Sequence, residues 1–260
     1  MPVYKIYCNT LKNTSIGCIY FNCIFCYFLD KVVSTKDIKM FSKTLNKKLD
    51  QYHLLNHSFY KSWNEGKLTR EIIKDYAEQY YQHVKAFPRY ISATHSLCED
   101  IEKRKILLEN LNDEENRDAD HPKLWKNFAL AMGADAKKLE EVKPDKFTKD
   151  LIDNFFKNGR STYAEGLASL YTYERQIPEI AETKIQGLKK YYGVNSKKGL
   201  EFFEAHKKAD VYHREECEKL LDGLSKEEQG KAEIAALSTA KYLWNFLSGI
   251  AEKHNLQVAA

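Results

Sequence analysis

The sequence predicts an all-α fold, a bundle of about seven to eight helices. From Met40 onward, apolar residues recur at the three- and four-residue spacing of amphipathic helices. Only 11 glycines and 5 prolines, the residues that most often interrupt helices, occur in the 260 residues. No run alternates apolar and polar residues over a useful strand length. Short connections favour one domain of mostly antiparallel neighbouring helices.

The first helix is predicted over residues 41–55. The second begins at Thr69, whose hydroxyl can cap its N terminus, and continues to about Cys98. A kink is expected near Pro88, because proline lacks the amide hydrogen that an inner turn requires. The later helices are predicted at residues 100–118, 121–132, 147–176, 178–191, 196–222 and 226–253. Glycines after three of these runs are predicted C-terminal caps: Gly133, Gly193 and Gly223.

Length and charge limit the classes of function. With 260 residues and 43% hydrophobic content, the chain can bury a substantial core and is not a disordered protein. Its formal charge is +4, and residues 1–40 carry five lysines against two aspartates, or +3, which leaves about +1 for the rest. We predict no nucleic-acid partner, because a phosphate-binding face needs clustered lysine and arginine.

The six cysteines argue against a disulfide-built secreted fold, since four of them lie in the first 26 residues. Cys23 and Cys26 form a C-x-x-C pair. No second pair stands at zinc-binding spacing and no βαβ pattern surrounds it, so neither a zinc nor a redox role is predicted.

Residues 16–29 form a fourteen-residue, mostly apolar segment interrupted by Asn22. It is shorter than the roughly 20 residues that span a bilayer, so no stable membrane insertion is predicted. It resembles a signal-peptide core only in part, since no small-residue cleavage pattern follows. A third interpretation, which we favour, is that translation begins at Met40 and that residues 1–39 come from an over-extended gene model.

Carboxylate and histidine residues stand at helix-face spacings in three stretches of the chain. Because an α-helix has about 3.6 residues per turn, residues four and seven apart share a face. One such stripe is the triplet of His206, Asp210 and His213. Together the three stretches give six candidate ligands of a two-metal site: Glu114, His121, Glu174, His206, Asp210 and His213. Three carboxylates and three imidazoles suit Fe/Fe or Fe/Mn, with an open position for dioxygen.

Direction separates the candidates from their acidic neighbours. Glu114 and His121 are seven residues apart and are predicted to share one helix face, whereas Glu115 points about 100° away. Glu174 is flanked by aromatic and aliphatic residues, where a carboxylate is costly to bury without a cation. Glu165, nine residues earlier, is predicted on the opposite side of that helix.

From about Leu55 to Leu221 the chain closely resembles the chlamydial protein associating with death domains and its bacterial relatives. That family has the haem-oxygenase-like helical fold shared with pyrroloquinoline-quinone synthase C and thiaminase II. It carries a Glu, a His seven residues later, a Glu on a later helix and an H-x-x-x-D-x-x-H triplet, and this chain fills all six positions. The resemblance implies a dimetal oxygenase of folate metabolism that uses dioxygen and an external reductant.

Members of this family make para-aminobenzoate from their own side chains. By resemblance, the sacrificed tyrosine is Tyr60, in NHSFYKSW, and the lysine that supplies nitrogen is Lys184, in PEIAETKIQGL. Where relatives often have His-Pro before the Phe-Tyr pair, this chain has His-Ser at residues 57–58. Tyr173 and Tyr76 are expected to relay electrons or to shape the pocket.

The resemblance also carries expectations about partners and location. We expect residues 40–260 to form one domain in the bacterial cytoplasm, with residues 1–39 as an extension and with export to a host cell as an alternative. A homodimer is expected. Other functions stay open at this stage: a diiron oxidase acting on an external small molecule, a thiaminase-II-like hydrolase using Cys217, and a module that binds host death-domain proteins.

Overall fold

The structure, a computed structural model, describes residues 40–256 apart from the side chains of residues 208–210. In chain order its helices are α1 (Phe41–Leu49), α2 (Ser58–Asn64), α3 (Arg70–Ser96), α4 (Ile101–Glu114), α5 (His121–Ala131), α6 (Ala136–Glu141), α7 (Lys146–Gly159), α8 (Tyr163–Glu174), α9 (Ile177–Lys190), α10 (Lys197–Asp222) and α11 (Lys226–Lys253). The predicted all-α class is confirmed, since no strand occurs between residues 40 and 256. The predictions for residues 1–39 lie outside the described range.

The long helices begin where side chains cap them. The Thr69 hydroxyl accepts the Ile72 amide, so α3 starts at the predicted cap and contains Pro88 within its length. Helix α11 has the predicted bounds, and Ser225 and Glu228 form a reciprocal capping box before its first turn. These two helices are also the longest continuous amphipathic patterns, which is why their ends were predictable.

Three differences from the predicted helices change the neighbourhood of the site. The predicted helix 147–176 is wrong: the chain leaves the helix after Gly159 and re-enters at Tyr163, because Thr162 is extended and its hydroxyl caps α8. The first helix ends at Leu49, and two 3₁₀ turns follow it. Helices α2 and α6 were not predicted, since elements of one or two turns leave little periodicity to detect.

The glycine caps differ in backbone conformation. Gly133 and Gly193 have φ of 97° and 69°, the left-handed region expected of capping glycines. Gly223 also caps its helix, α10, but with φ of −81°, a conformation open to any residue.

Helix α3 runs through the middle of the bundle and packs against α4, α5, α7 and α8. Helix α11 covers α7 and α8, and α10 packs against α5 and α9. The fully buried Trp125 indole donates to the Ala77 carbonyl at 2.8 Å and ties α5 to α3. The resulting interior is strongly aromatic. No described helix is both long and apolar enough to cross a membrane.

Two buried histidines are held in their neutral form. His57 caps α2, with Nδ1 accepting the Phe59 amide at 3.0 Å and Nε2 lying 3.0 Å from Ser248 Oγ. Burial, with a smaller contribution from nearby Lys61, lowers the pKa of His57 from 6.5 to about 4. Burial lowers the pKa of His83 from 6.5 to about 3.

The free energy of unfolding is therefore expected to fall as the pH is lowered through this range. The unfolded chain takes up a proton at each histidine below pH 6.5, whereas the folded chain does not until about pH 4 at His57 and about pH 3 at His83. The stabilisation is thus complete above pH 6.5 and is lost progressively below it. Denaturant unfolding at a series of pH values measures this loss.

His57→Asn is the matched variant, because asparagine caps helices without titrating. Its unfolding free energy should fall less steeply than that of the wild type between pH 6.5 and 4. Equal slopes for the two proteins would contradict a role of His57 in this pH dependence.

Candidate metal centre

Three of the six predicted ligands meet in the interior where α4 ends, α5 begins and α10 passes. Glu114, His121 and His206 are all buried, and each offers one ligand atom within 4.8 Å of those of the other two. Glu114 Oε2 lies 2.8 Å from His121 Nδ1, and Glu114 Oε1 lies 4.0 Å from His206 Nε2. The two imidazole ring centroids are 4.2 Å apart.

The prediction that Glu114 and His121 share the face of one helix is wrong. Helix α4 ends at Glu114, and His121 is the first residue of α5. Asp120, an acidic neighbour rather than a ligand candidate, caps α5 by accepting the Lys123 amide at 2.8 Å. The two side chains meet because the connection turns back on itself, not because of helical repeat.

The hydrogen bonding of His206 fixes which nitrogen faces the other two residues. His206 Nδ1 lies 2.8 Å from the Phe202 carbonyl, which can only accept, so Nδ1 carries the proton. This leaves the Nε2 lone pair on the side of Glu114. Burial and then the neighbouring His121 lower the pKa of His206, so the ring is neutral, as a metal ligand must be.

Glu174 is buried at the end of α8 and both its oxygens have neighbours. Asn110 Nδ2 donates to Oε1 at 2.6 Å, and Cys217 Sγ lies 3.6 Å from Oε2. Asn110 is one turn before Glu114 on α4, so these contacts bring the Glu174 carboxylate to the helix that carries Glu114.

The end of α4 also contacts the third stretch. His213, buried on α10, has its Nε2 3.2 Å from Asp113 Oδ2. Asp210 lies outside the described side chains. Glu115 is exposed, and Glu165 accepts hydrogen bonds from the hydroxyls of Ser161 and Thr162, so neither of these two carboxylates belongs to the buried group of three ligands.

The chemistry of this donor set fits a metal ion. One carboxylate and two imidazoles, buried and converging within 4.8 Å, are a ligand set that iron or manganese accepts. Without a cation, a buried carboxylate of this kind is costly. A second ion held by Glu174, Asp210 and His213 stays a prediction.

Beside the three ligands lies a lysine enclosed by aromatic rings. Lys184 is 4% exposed, and burial lowers its pKa from 10.5 to about 7. Its Nζ lies between 4.9 and 5.7 Å from the centroids of five rings: Tyr60, Tyr76, Tyr80, Trp125 and Phe203. An amine in this environment is neutral in a large fraction of molecules near neutral pH.

A hydrogen-bonded chain joins the two predicted donors of ring and nitrogen. Lys184 Nζ donates to the Tyr76 hydroxyl at 2.5 Å, and Tyr76 in turn donates to the Tyr60 hydroxyl. Burial raises the pKa of both phenols, so both are protonated. Three of the four residues predicted to take part in the reaction, Lys184, Tyr76 and Tyr60, are thus joined by consecutive hydrogen bonds.

Tyr173, the fourth, lines a small cavity between the lysine and the metal ligands. The cavity encloses about 10 Å³, room for about one water-sized molecule. Its lining includes Lys184, Tyr173 and His206. The cavity therefore borders both the Lys184 amine and His206, one of the three candidate ligands.

Sequence reasoning missed two residues of this region. Asn110, which holds Glu174, stands four residues before Glu114, and this spacing was the available signal. Tyr80 stands four residues after Tyr76, and their rings stack with centroids 5.4 Å apart. The four-residue spacing of these two tyrosines did not stand out, because the sequence contains 17 tyrosines.

Comparisons with known proteins agree with this architecture. The model of the TENA/THI-4/PQQC family matches residues 43–253. The 4-aminobenzoate synthase of Chlamydia muridarum is 40% identical over 225 residues, 84% of this chain and 95% of the relative. The enzyme of the same name from Nitrosomonas europaea is 38% identical over 227 residues, 82% of this chain and 92% of the relative.

The fold itself is found among solved structures. A domain of unknown function with a heme oxygenase-like fold from Shewanella denitrificans superposes with a TM-score of 0.71 at 17% identity, covering 86% of this chain and 95% of that one. The haem-oxygenase-like fold expected from the sequence is thereby confirmed.

Glu114→Gln should weaken metal binding by about tenfold or more, because it removes the only charged member of the three buried ligands. Glu115→Gln, the exposed neighbour, is the matched control and should bind metal like the wild type. Iron and manganese per chain, measured by elemental analysis after loading and desalting, test this. Equal metal content in both variants would rule Glu114 out as a ligand.

Proposed function

The chain belongs to the TENA/THI-4/PQQC family, and we propose that within it the protein is an enzyme that forms 4-aminobenzoate from its own Tyr60 and Lys184. The relatives named 4-aminobenzoate synthase support the product. The arrangement of the two side chains supports their use as the substrate. We further propose that the reaction depends on dioxygen, an external reductant and two metal ions, as Fe/Fe or Fe/Mn.

The metal centre would be held by Glu114, His121 and His206 together with Glu174, Asp210 and His213. Bound there, the metals would carry electrons from the phenol to dioxygen, a transfer that is slow between the two unaided. The protein's own contribution is to keep the neutral His206 ring turned towards Glu114 and to hold Glu174 through Asn110.

Tyr60 supplies most of the product's atoms in this proposal. 4-Aminobenzoate is a six-membered ring with one carbon para to its nitrogen. The tyrosine ring already carries Cβ para to its oxygen, so Cβ becomes the carboxyl carbon when the Cα–Cβ bond breaks. Tyr60 is 2% exposed and its phenol accepts from Tyr76, which keeps the ring fixed and away from bulk water.

Lys184 supplies the nitrogen. A neutral amine is required to attack an oxidised ring, and burial, which lowers the pKa of Lys184 to about 7, provides it. The new C–N bond replaces the ring C–O bond, whose oxygen leaves as water, and the Lys184 Cε–Nζ bond breaks as Cε is oxidised to an aldehyde. Dioxygen is the oxidant for this step and for the conversion of Cβ to the carboxyl carbon. One N–H is directed to the Tyr76 hydroxyl, which orients the amine and leaves its lone pair free. The Lys184 Nζ lies 5.7 Å from the centroid of the Tyr60 ring.

The observation that carries the proposal is the buried chain of hydrogen bonds from Lys184 through Tyr76 to Tyr60. It lies beside a cavity of only about 10 Å³. An oxidase acting on an external aromatic molecule needs a binding pocket of several hundred Å³. The space next to the candidate metal centre suits a molecule of the size of dioxygen or water. This contrast favours an internal substrate.

A thiaminase-II-like activity is disfavoured by the state of Cys217. The thiol is fully buried, and burial together with the adjacent Glu174 carboxylate raises its pKa. A nucleophilic cysteine requires the opposite, a thiolate stabilised by positive charge. Binding to death-domain proteins, the homodimer and export to a host cell stay predictions from the resemblance.

Tyr60→Phe should abolish 4-aminobenzoate formation, because a ring without the phenolic oxygen is much harder to oxidise. Tyr90→Phe is the matched control: Tyr90 is equally buried, and its hydroxyl has no hydrogen-bond partner among the described residues. Product is measured by chromatography after exposure to iron, manganese, reductant and dioxygen, and peptide mass spectrometry follows Tyr60. Product from wild-type chains whose Tyr60 stays intact would contradict self-sacrifice.

Protein grown with ¹⁵N-lysine should release ¹⁵N-labelled product in unlabelled buffer, in an amount that does not exceed the polypeptide present. Lys184→Arg, prepared with the same label, should release no labelled product, since guanidinium stays protonated. Unlabelled product, or product in excess of protein, would instead favour an external substrate.

A further inference from the structure

Tyr60 and Lys184 lie on different helices, and the structure contains a device that fixes those helices against each other. Tyr60 is on α2, and one turn later on that helix comes Trp63. Lys184 is on α9, and one turn later comes Gly187. The contact between Trp63 and Gly187 therefore lies one helical turn from the pair of reactive side chains.

The first part of the device is the absence of a side chain at Gly187. A Cβ there would lie 2.3 Å from Trp63 Nε1 and 2.7 Å from Trp63 Cδ1, well inside van der Waals contact. Trp63 has no room to retreat, since it is 0% exposed and packs against Tyr192 with ring centroids 5.1 Å apart. Tyr192 also donates to the Trp63 carbonyl at 2.9 Å.

The second part is the reverse contact, in which an aromatic ring from the end of α9 lies against a glycine at the end of α2. Gly66 follows α2 with φ of +67°, and a Cβ there would lie 2.6 Å from Tyr191 Cδ1, just beyond the end of α9. Each helix thus sends an aromatic ring onto a glycine of the other segment. We call these two contacts, Trp63 on Gly187 and Tyr191 on Gly66, the glycine–aromatic lock.

The close approach of the α2 and α9 backbones matters because non-covalent contacts alone hold Lys184 near Tyr60. The Lys184 Nζ lies 5.7 Å from the centroid of the Tyr60 ring and donates to the Tyr76 hydroxyl. If α2 and α9 separated by the width of a methyl group, the amine would move away from the Tyr60 ring and from the Tyr76 hydroxyl. A displacement of about 1 Å at a reacting centre can lower a rate by about 100-fold.

We propose that the glycine–aromatic lock sets the distance between Lys184 and Tyr60, and that Gly187 is a positioning residue for nitrogen transfer. This inference rests on the proposed function. Helix α9 carries none of the six candidate metal ligands, so disturbing the lock leaves oxidation of Tyr60 intact while it impairs attack by Lys184.

The test uses the full chain and two matched alanine variants. Gly187→Ala adds a methyl group at the lock, whereas Gly230→Ala adds one to α11 where nothing lies within 4 Å. In each, peptide mass spectrometry measures the ratio of chains that have lost the Lys184 nitrogen to chains that have lost the Tyr60 ring. We expect the ratio to fall by about tenfold or more in Gly187→Ala, and to stay at the wild-type value in Gly230→Ala. An unchanged ratio in Gly187→Ala overturns the proposal.

A compensating change tests whether the effect acts through Trp63. Leucine at position 63 lacks the Nε1 atom that a Cβ at Gly187 would approach, and its smaller, rotatable side chain can move aside. Gly187→Ala combined with Trp63→Leu should therefore show the same ratio as Trp63→Leu alone, a comparison that holds even if Gly187→Ala by itself folds poorly. A tenfold fall in the double variant relative to Trp63→Leu would place the effect elsewhere and refute the lock.

A metal-free measurement separates failure of this inference from failure of the proposed function. In protein with ¹⁵N-lysine, the Lys184 resonance titrates near pH 7 if the amine is enclosed. Loosening the lock admits water and should raise that midpoint towards 10.5 in Gly187→Ala but not in Gly230→Ala. If wild-type protein never loses Tyr60, the proposed function fails, and an unshifted midpoint then rejects the lock on its own.

Discussion

The burial of the Lys184 amine is the constraint on which the interior of this protein depends. An ammonium ion without a paired charge is expensive away from water. Within the described part of the chain, the Lys184 Nζ donates its hydrogen bond to the Tyr76 hydroxyl. The five surrounding rings offer their electron-rich faces, which reduce the cost of a positive charge but do not remove it. The amine therefore spends much of its time neutral, which is the state that nitrogen transfer requires. A core that served stability alone would place leucine here.

The nearby carboxylates are also costly to bury, but as negative rather than positive charges, and their surroundings differ from those of Lys184. Glu114 and Glu174 are both buried. Glu114 contacts His121, and Glu174 contacts Asn110 and Cys217, and these groups orient a carboxylate. Such an arrangement lowers the stability of the protein without a metal ion and favours binding of a divalent cation. The amine and the carboxylates thus occupy adjoining regions, one arranged to lose charge and the other to accept a cation.

The sequence predicted the fold class and the longest helices because α3 and α11 combine continuous periodicity with capping residues that can be read directly. It could not predict α2, whose seven residues are held by the His57 cap and by packing against distant helices. The break between Glu114 and His121 was missed for a related reason, since the acidic run between them is compatible with a helix until Asp120 caps the next one. Glu114 and His121 were named as candidate ligands because of their helix-face spacing, yet they meet through the connection between two helices. The hydrogen bond between Lys184 and Tyr76 joins residues more than 100 positions apart, a contact that no local pattern indicates.

The location of Tyr60 is compatible with its consumption. It stands on a short helix with a local cap, whereas the candidate ligands stand on α4, α5, α8 and α10. Removing its ring leaves a cavity that would cost a few kcal/mol in stability, and an enzyme that must act repeatedly could not tolerate such a loss. A polypeptide that acts once has no such requirement after product release. Under the proposed function, the tight packing of Tyr60 and Lys184 has the same rationale, because side chains that serve as the substrate do not have to enter the site before the reaction.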